Sequence, residues 1–410
     1  MTQAEREFLK ILESFMHDKE YHFPENFIAL EEVKQLSGIH NVVAMVYEQI
    51  RGEEIWKKAD FQNLEVQFRK TSIYKVMTQI QRTETFLRVY KHLCEEGICP
   101  LVVKGIICRN LYTKPDYRVS GDEDMLIRKA DFEMCDRILR EEGFTRSEFD
   151  MEHMPYEIPY MHGKTGTYIE LHFSLFSEET EAYGHLNKEF EYVFENCICE
   201  KIQGIEIFTL NPTEHMFYLI CHSFKHFLHS GFGIRQVCDM VMMAERYGKR
   251  IDWKRINIRL SELNMAYFWS GLSEIGRKYL GFDWNRAGYN REFQKEDIEL
   301  EDLIQDILKG GIYGDSSMER KHSSNMTLAA VTTGKKNTII SVKESLFPSG
   351  EYMKQKYSWL EKSLFLLPVA WGMRICTYLL KKEHRGQEEV SGLEIGMERV
   401  ELLKKYKIIK

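Results

Sequence analysis

The sequence predicts an α+β fold, a small mixed β-sheet core flanked by N-terminal and C-terminal helical regions. Three observations carry that expectation. Apolar residues recur at helical spacing through residues 1–95, short β-branched runs alternate with helical segments through 96–210, and the pattern turns helical again across 211–410. At 410 residues, 43% hydrophobic and 29% charged, the chain is long enough for two or three such regions around an ample core.

The N-terminal region reads as helices over 4–15, 27–36 and 41–51, then a long one from Trp56 to Cys94. Leu64, Phe68, Ile73, Val76, Ile80 and Leu87 fall at helical spacing along it. The first twenty residues are amphipathic with acids early, unlike a secretory leader. In the central region Leu101-Val102-Val103 is the first strand, and Ile106 to Tyr112 reads as a short helix after Lys104-Gly105. Gly105 lets backbone N–H groups approach a phosphate closely, and the helix start adds partial positive charge. A second apolar strand starts at Asp122-Glu123-Asp124, and Lys129 to Glu142 is an amphipathic helix stopped by Gly143. Thr167 to Phe173 alternates so that Glu170 and His172 share a face, and Ile202 to Leu210 reads as a further strand after the Gly204 turn.

The C-terminal region opens at a good helix start, Asn211-Pro212-Thr213-Glu214. Its first helix carries His215, His222, His226 and His229, with Lys225 between them, and the last three histidines lie on one face. That ladder reads either as a metal- or phosphate-facing set or as a buried polar seam; without H-E-x-x-H a zinc-hydrolase site is disfavoured. Tyr313 to Asn337 is Ser/Thr/Gly-rich and aperiodic, and is expected to be a loop. Ser363 to Leu380 is apolar but holds Pro368 and Arg374, which favours a core helix over a membrane span. Lys381, Lys382 and Arg385 after it leave contact with an anionic membrane surface as the lesser expectation.

The chemistry concentrates at the D-x-D. Side chains two apart on a strand share a face, so Asp122 and Asp124 converge on one divalent ion while Glu123 points away, and Glu170 is a natural third ligand. Mg²⁺ takes oxygen ligands and shares them with substrate phosphates, which makes phosphate transfer the first reaction class to consider. A net charge of -7 argues against binding long nucleic acid through general electrostatics. The nine cysteines are scattered, with a close pair at Cys197 and Cys199 but no C-x-x-C set, so reduced thiols in a cytoplasmic setting are expected.

These residues resemble the polymerase-β-like nucleotidyltransferase superfamily, and within it the bacterial group of uncharacterised nucleotidyltransferase family proteins. The resemblance runs through K-G at Lys104-Gly105, the aromatic and Arg at Tyr112 and Arg118, and G-D-x-D with apolar residues from Gly121 to Ile127. It continues through G-F at Gly143-Phe144, apolar-E-L-H from Ile169 to His172, and P-x-E-H…H-x-x-x-H…D from Pro212 to Asp239, roughly residues 85 to 245 in all. It implies catalytic and metal-binding roles for Asp122, Asp124 and Glu170. It also implies nucleotide contacts from Lys104, Gly105, Arg118 and Lys225, with two Mg²⁺ ions (Mn²⁺ as the alternative) roughly 3.5–4 Å apart. The reaction implied is in-line attack of an acceptor hydroxyl on the α-phosphate of a nucleoside triphosphate such as ATP. The acceptor, whether small molecule, peptide or protein, is left open. One departure stands out: the superfamily commonly has Gly-Ser or Gly-Gly after its first strand, whereas Ile106 follows Gly105 here, so Lys104 is expected to substitute as a point charge. For Arg118 a structural ion pair with a nearby acid is an equal reading. The alternatives are a metal-dependent glycosyltransferase, which also uses D-x-D, and an inactive nucleotide-binding relative.

Overall fold

The computed structural model describes residues 1–148, 155–311, 324, 326–328, 330–332, 353, 366–373 and 391–409. Four helices lead the chain: α1 (Gln3–Met16), α2 (Leu30–Ile39), α3 (Val43–Ile50) and α4 (Ala59–Glu95). Thr2 and Glu5 close a capping box at the start of α1, each side chain taking the other's backbone N–H. The N-terminal half of α4 buries Leu64 and Phe68, the latter beside the Tyr47 and Trp56 rings. Its C-terminal half lays Phe86, Leu87, Tyr90 and Leu93 on the sheet.

The sheet has seven strands: β1 (Leu101–Val103), β2 (Glu123–Leu126), β3 (Phe144–Thr145), β4 (Glu157–His162), β5 (Tyr168–His172), β6 (Ile198–Ile202) and β7 (Ile205–Thr209). Their order is β3-β4-β5-β2-β1-β7-β6, with β2–β5 and β1–β7 parallel and the other pairs antiparallel, so the sheet is mixed as expected. Two short helices join the strands, α5 (Gly105–Arg109) after β1 and α6 (Phe132–Glu141) after β2. The strand expected after the Gly204 turn is β7, and β6 before the turn, which was not expected, pairs with it as a hairpin. Gln203 (φ 49°) and Gly204 (φ 88°) make the two-residue turn, both left-handed as a type I′ connection requires. Strand β4 was not anticipated, because Pro159 breaks the strand signal in its middle.

Period-2 alternation divides the sheet's contacts. Val102, Met125, Ile169 and Leu171 face α4 and α6 in one apolar cluster. Leu101, Val103 and Leu126 belong to a second cluster, built with the C-terminal helices α7 (Pro212–Leu228), α8 (Ile234–Tyr247), α9 (Trp253–Glu262), α10 (Ala266–Tyr279) and α11 (Leu300–Gly310). Phe8, Leu12 and Val46 from the N-terminal helices share that second core with Phe268, Ile275 and Leu303. His17 Nε2 bonds the Leu280 carbonyl at 2.8 Å, tying the same two regions. A last described helix spans Ser391–Lys405.

The loop expected over 313–337 and the apolar segment 363–380 lie largely outside the described residues; those described within them are helical, and they include Leu366 and Val369, both exposed. Among the described residues no helix is long and apolar enough to cross a membrane.

Candidate active site

Strand β2 is short, and its pleat sorts three consecutive acids. Asp124, in register with Val103 of β1 on one side and Glu170 of parallel β5 on the other, stands on the face covered by α7. Glu123 goes to the opposite face, as expected. There it pairs with the buried Arg109 guanidinium and accepts the Ile106 N–H at 2.7 Å. Asp122 precedes the strand and lines a cavity of about 80 Å³ with Lys104, Gly105, Arg118, His222, His226, Arg235 and Asp239.

Asp124, Glu170 and His172 form the one group of three among the described residues whose ligand atoms lie within 4.8 Å of one another. His172 Nε2 is 3.4 Å from Asp124 Oδ1 and 3.4 Å from Glu170 Oε2. The other oxygen, Asp124 Oδ2, meets Lys104 Nζ at 2.6 Å. The expected third carboxylate is therefore beside the second, but the ligand atoms that converge include an imidazole, and Asp122 sits on the neighbouring cavity instead.

Electrostatics follow from that packing. Burial alone would push the Asp124 carboxyl up; the Lys104 ammonium and the His172 imidazole outweigh it and hold the carboxyl well below the usual carboxylate range. Burial pulls His172 down, yet its bonds to Asp124 and Glu170 lift it to about 9. Glu170 is raised, by burial first, and the Asp124 and Asp122 charges add to the rise against the His172 bond. Lys104 is likewise lowered by burial and more than restored by Asp124, ending well above an ordinary lysine.

Helix α7 roofs this face. Asn211 caps it by accepting the Thr213 and Glu214 N–H groups, and Pro212 opens its first turn. His215 Nε2 accepts the Lys104 backbone N–H at 3.2 Å, and His222 Nε2 lies 2.9 Å from Lys104 Nζ and 3.2 Å from His226 Nε2. Burial drives all three below the ordinary histidine range, His215 to about 4 and His226 to about 3, so the ladder is a neutral polar seam against Lys104 at neutral pH. His229 leaves the seam and bonds the Tyr183 hydroxyl at 2.8 Å.

Like Lys104, the other three expected nucleotide contacts acquire partners within the chain. Arg118 is buried against Asp239, with Nε 3.0 Å from Oδ1, and Tyr112 donates to the same oxygen at 2.9 Å; the ion-pair alternative is what forms. Gly105 has φ 34°, and a Cβ there would come within 2.1 Å of Glu123 Oε2. The close approach that needs glycine is to Glu123, and the Ile106 N–H expected to face a phosphate already has that carboxylate. Lys225 lies on the Glu170 side of the site, its Nζ 3.3 Å from the Tyr156 hydroxyl, and burial lowers it despite the attraction of Glu157. Glu157 itself was missed with its strand; it sits opposite His172 across the β4–β5 ladder.

The uncharacterised nucleotidyltransferase family model matches residues 29–275, more than half of the chain. The chain belongs to that family. No curated protein and no solved structure matches it. The nucleotidyltransferase match begins within the N-terminal helices and ends in α10, so it takes in every strand of the sheet and all of α7. A divalent cation, general to nucleotidyltransferases, fits the residues present. Two carboxylates and an imidazole converge, and His172 Nδ1 is buried without a hydrogen-bond partner.

Proposed function

We propose that this nucleotidyltransferase moves a nucleoside monophosphate from a nucleoside triphosphate to a hydroxyl acceptor, using Asp122, Asp124 and Glu170 as its carboxylates. The observation that carries the reading is the parallel register that sets Glu170 beside Asp124, behind Lys104 and beneath α7. In the reaction the acceptor oxygen bonds to the α-phosphorus, the bond to the bridging oxygen breaks, pyrophosphate leaves, and the hydroxyl proton is taken up on the Glu170 side. A divalent cation held there would supply the positive charge that offsets charge building on the transferring phosphoryl group.

The chain's own groups do the rest. Asp124 and Glu170 present oxygens from adjacent strands, and Asp122 faces the cavity that borders them. Lys104 brings a cation to the same spot, and Lys225 brings a second from the Tyr156 and Glu157 side. Tyr218 and His222 on α7 exclude water from this face, which strengthens each of these interactions. Arg118 and Gly105 act one step back: Arg118 fixes Asp239 at the cavity wall, and Gly105 admits Glu123 behind β2.

The test offers each α-labelled triphosphate, and nucleotide sugars in parallel, with a divalent cation and fractionated hydroxyl metabolites, peptides or proteins, and reads α-label carried to the acceptor together with pyrophosphate release. Release that disappears in Asp124→Asn and in Glu170→Gln supports the reading. A nucleotide released from a nucleotide sugar instead would point to glycosyl transfer. Triphosphate that binds and is returned intact in every fraction would identify a nucleotide-binding relative without turnover.

A further inference from the structure

The ligand set converging at the centre of the sheet contains a nitrogen, and that bears on which cation it holds. His172 follows Glu170 by two residues on β5, so the pleat aims both side chains at Asp124 of β2. Its Nε2 lies 3.4 Å from an oxygen of each, and the three ligand atoms fit within 4.8 Å. Behind the ring, the buried Nδ1 has no hydrogen-bond partner, and the nearest carboxylate oxygen across the antiparallel ladder is Glu157 Oε2 at 3.7 Å. A carboxylate behind an imidazole whose other nitrogen faces a ligand cluster is the arrangement that fixes a metal-ligating histidine's tautomer and strengthens its donor nitrogen. Asp124 is divided to match: Oδ1 faces the imidazole and Oδ2 faces Lys104.

We propose that Asp124, Glu170 and His172 form a mixed carboxylate–imidazole site that takes a first-row divalent transition metal in preference to Mg²⁺, with Glu157, the carboxylate 3.7 Å from Nδ1, as the positioning residue that takes up the Nδ1–H hydrogen bond when Nε2 binds the cation. The inference rests on the nucleotidyl-transfer reading only for what the cation does, not for its binding. Mg²⁺ is a hard ion that stays with oxygen and water, whereas Mn²⁺, Co²⁺ and Zn²⁺ accept imidazole beside carboxylate, with affinity rising from Mn²⁺ to Co²⁺. A D-x-D motif taken alone points to an all-oxygen Mg²⁺ site. The register of β5 against β2 adds the nitrogen and changes the preference.

Metal-stripped protein without nucleotide is titrated with MnCl₂, free Mn²⁺ is read by electron paramagnetic resonance, and bound Mn²⁺ is examined by pulsed methods for ¹⁴N coupling. The expected result is an imidazole nitrogen coupling that is absent in His172→Gln and retained in His162→Gln, whose imidazole bonds Thr165 away from the site. Mn²⁺ affinity should fall on the order of 10- to 100-fold in Glu157→Gln, and by at least as much in His172→Gln. Half-displacement of Mn²⁺ should need more than about tenfold excess Mg²⁺. Bound Mn²⁺ with no nitrogen coupling, coupling that persists in His172→Gln, or displacement by equimolar Mg²⁺ would overturn the proposal. Far-ultraviolet circular dichroism checks the variants; should His172→Gln not fold, the native protein's coupling and Mg²⁺ competition decide. Mn²⁺ bound through nitrogen in a protein that releases no pyrophosphate would end the nucleotidyl-transfer reading and leave this one standing. Mg²⁺-driven turnover with all-oxygen Mn²⁺ would do the reverse.

Discussion

Lys104 is the residue where the structure departs most from a reading of the motif. It has φ 56°, a left-handed conformation unusual for a residue with a side chain, and its N–H, ammonium and neighbouring glycine are all engaged within the chain. A point charge expected to wait for phosphate is thus the internal partner of Asp124. Replacing it by Ala takes the cation from Oδ2 of a buried carboxylate and leaves His172 alone to offset its charge, so Lys104→Ala should cost about 3 kcal/mol of stability in chelator-treated protein. Saturating Mn²⁺ should return part of that loss by supplying Asp124 with another cation. Urea denaturation with and without metal measures both, and an unchanged midpoint in chelator would show that the pair contributes nothing. Asp124 and Glu170 were legible because period-2 alternation needs only local sequence. Asp239 as the partner of Arg118 was not, since the two are 121 residues apart and either residue alone is an ordinary surface type.

At the scale of elements, α7 and β5 titrate in opposite senses. His215 at about 4, His226 at about 3 and, beneath α8, His40 at about 4 are kept neutral by burial, while the same groups in the unfolded chain take protons near pH 6.5. Their contribution is full above that pH and is lost as pH falls toward 4, by on the order of 1 kcal/mol per histidine for each unit. His172, raised to about 9, contributes fully below pH 6.5 and loses its share as pH climbs through 9. Metal-free protein should therefore be most stable near neutrality, with an alkaline arm that vanishes in His172→Gln and an acid arm that stays. Denaturant midpoints from pH 5 to 9.5 check it, and a flat profile would contradict both assignments. The elements themselves were unevenly legible. The long helix α4 and the cap at Asn211 follow from periodicity and local chemistry. Strand β4, with Pro159 inside it, and β6, whose Cys199-Glu200-Lys201 interior is half-exposed, gave no apolar run to read.

At the scale of the whole molecule, the site draws on stretches far apart in the chain. His172 reaches Asp124 across 48 residues, and His215 and His222 reach Lys104 across 111 and 118. The helices before and after the sheet close one core over it, so the family match, which starts inside the first helices, covers an assembly and not a detachable sheet. Contacts of such separation form late, because each must overcome the entropy of closing a long loop before it gains anything. A cation that needs Asp124 and Glu170 side by side then finds no site in the chain's early folding states. Added Mn²⁺ should slow unfolding and leave the refolding rate as it was, which stopped-flow fluorescence can measure; faster refolding would mean the two strands meet early. If the site holds its cation as proposed, the parallel register of β2 and β5 works as a checkpoint of maturation. Under the proposed function, a chain whose β2 and β5 have not yet paired would lack the joined carboxylates that the cation needs, and would spend no triphosphate before it is finished.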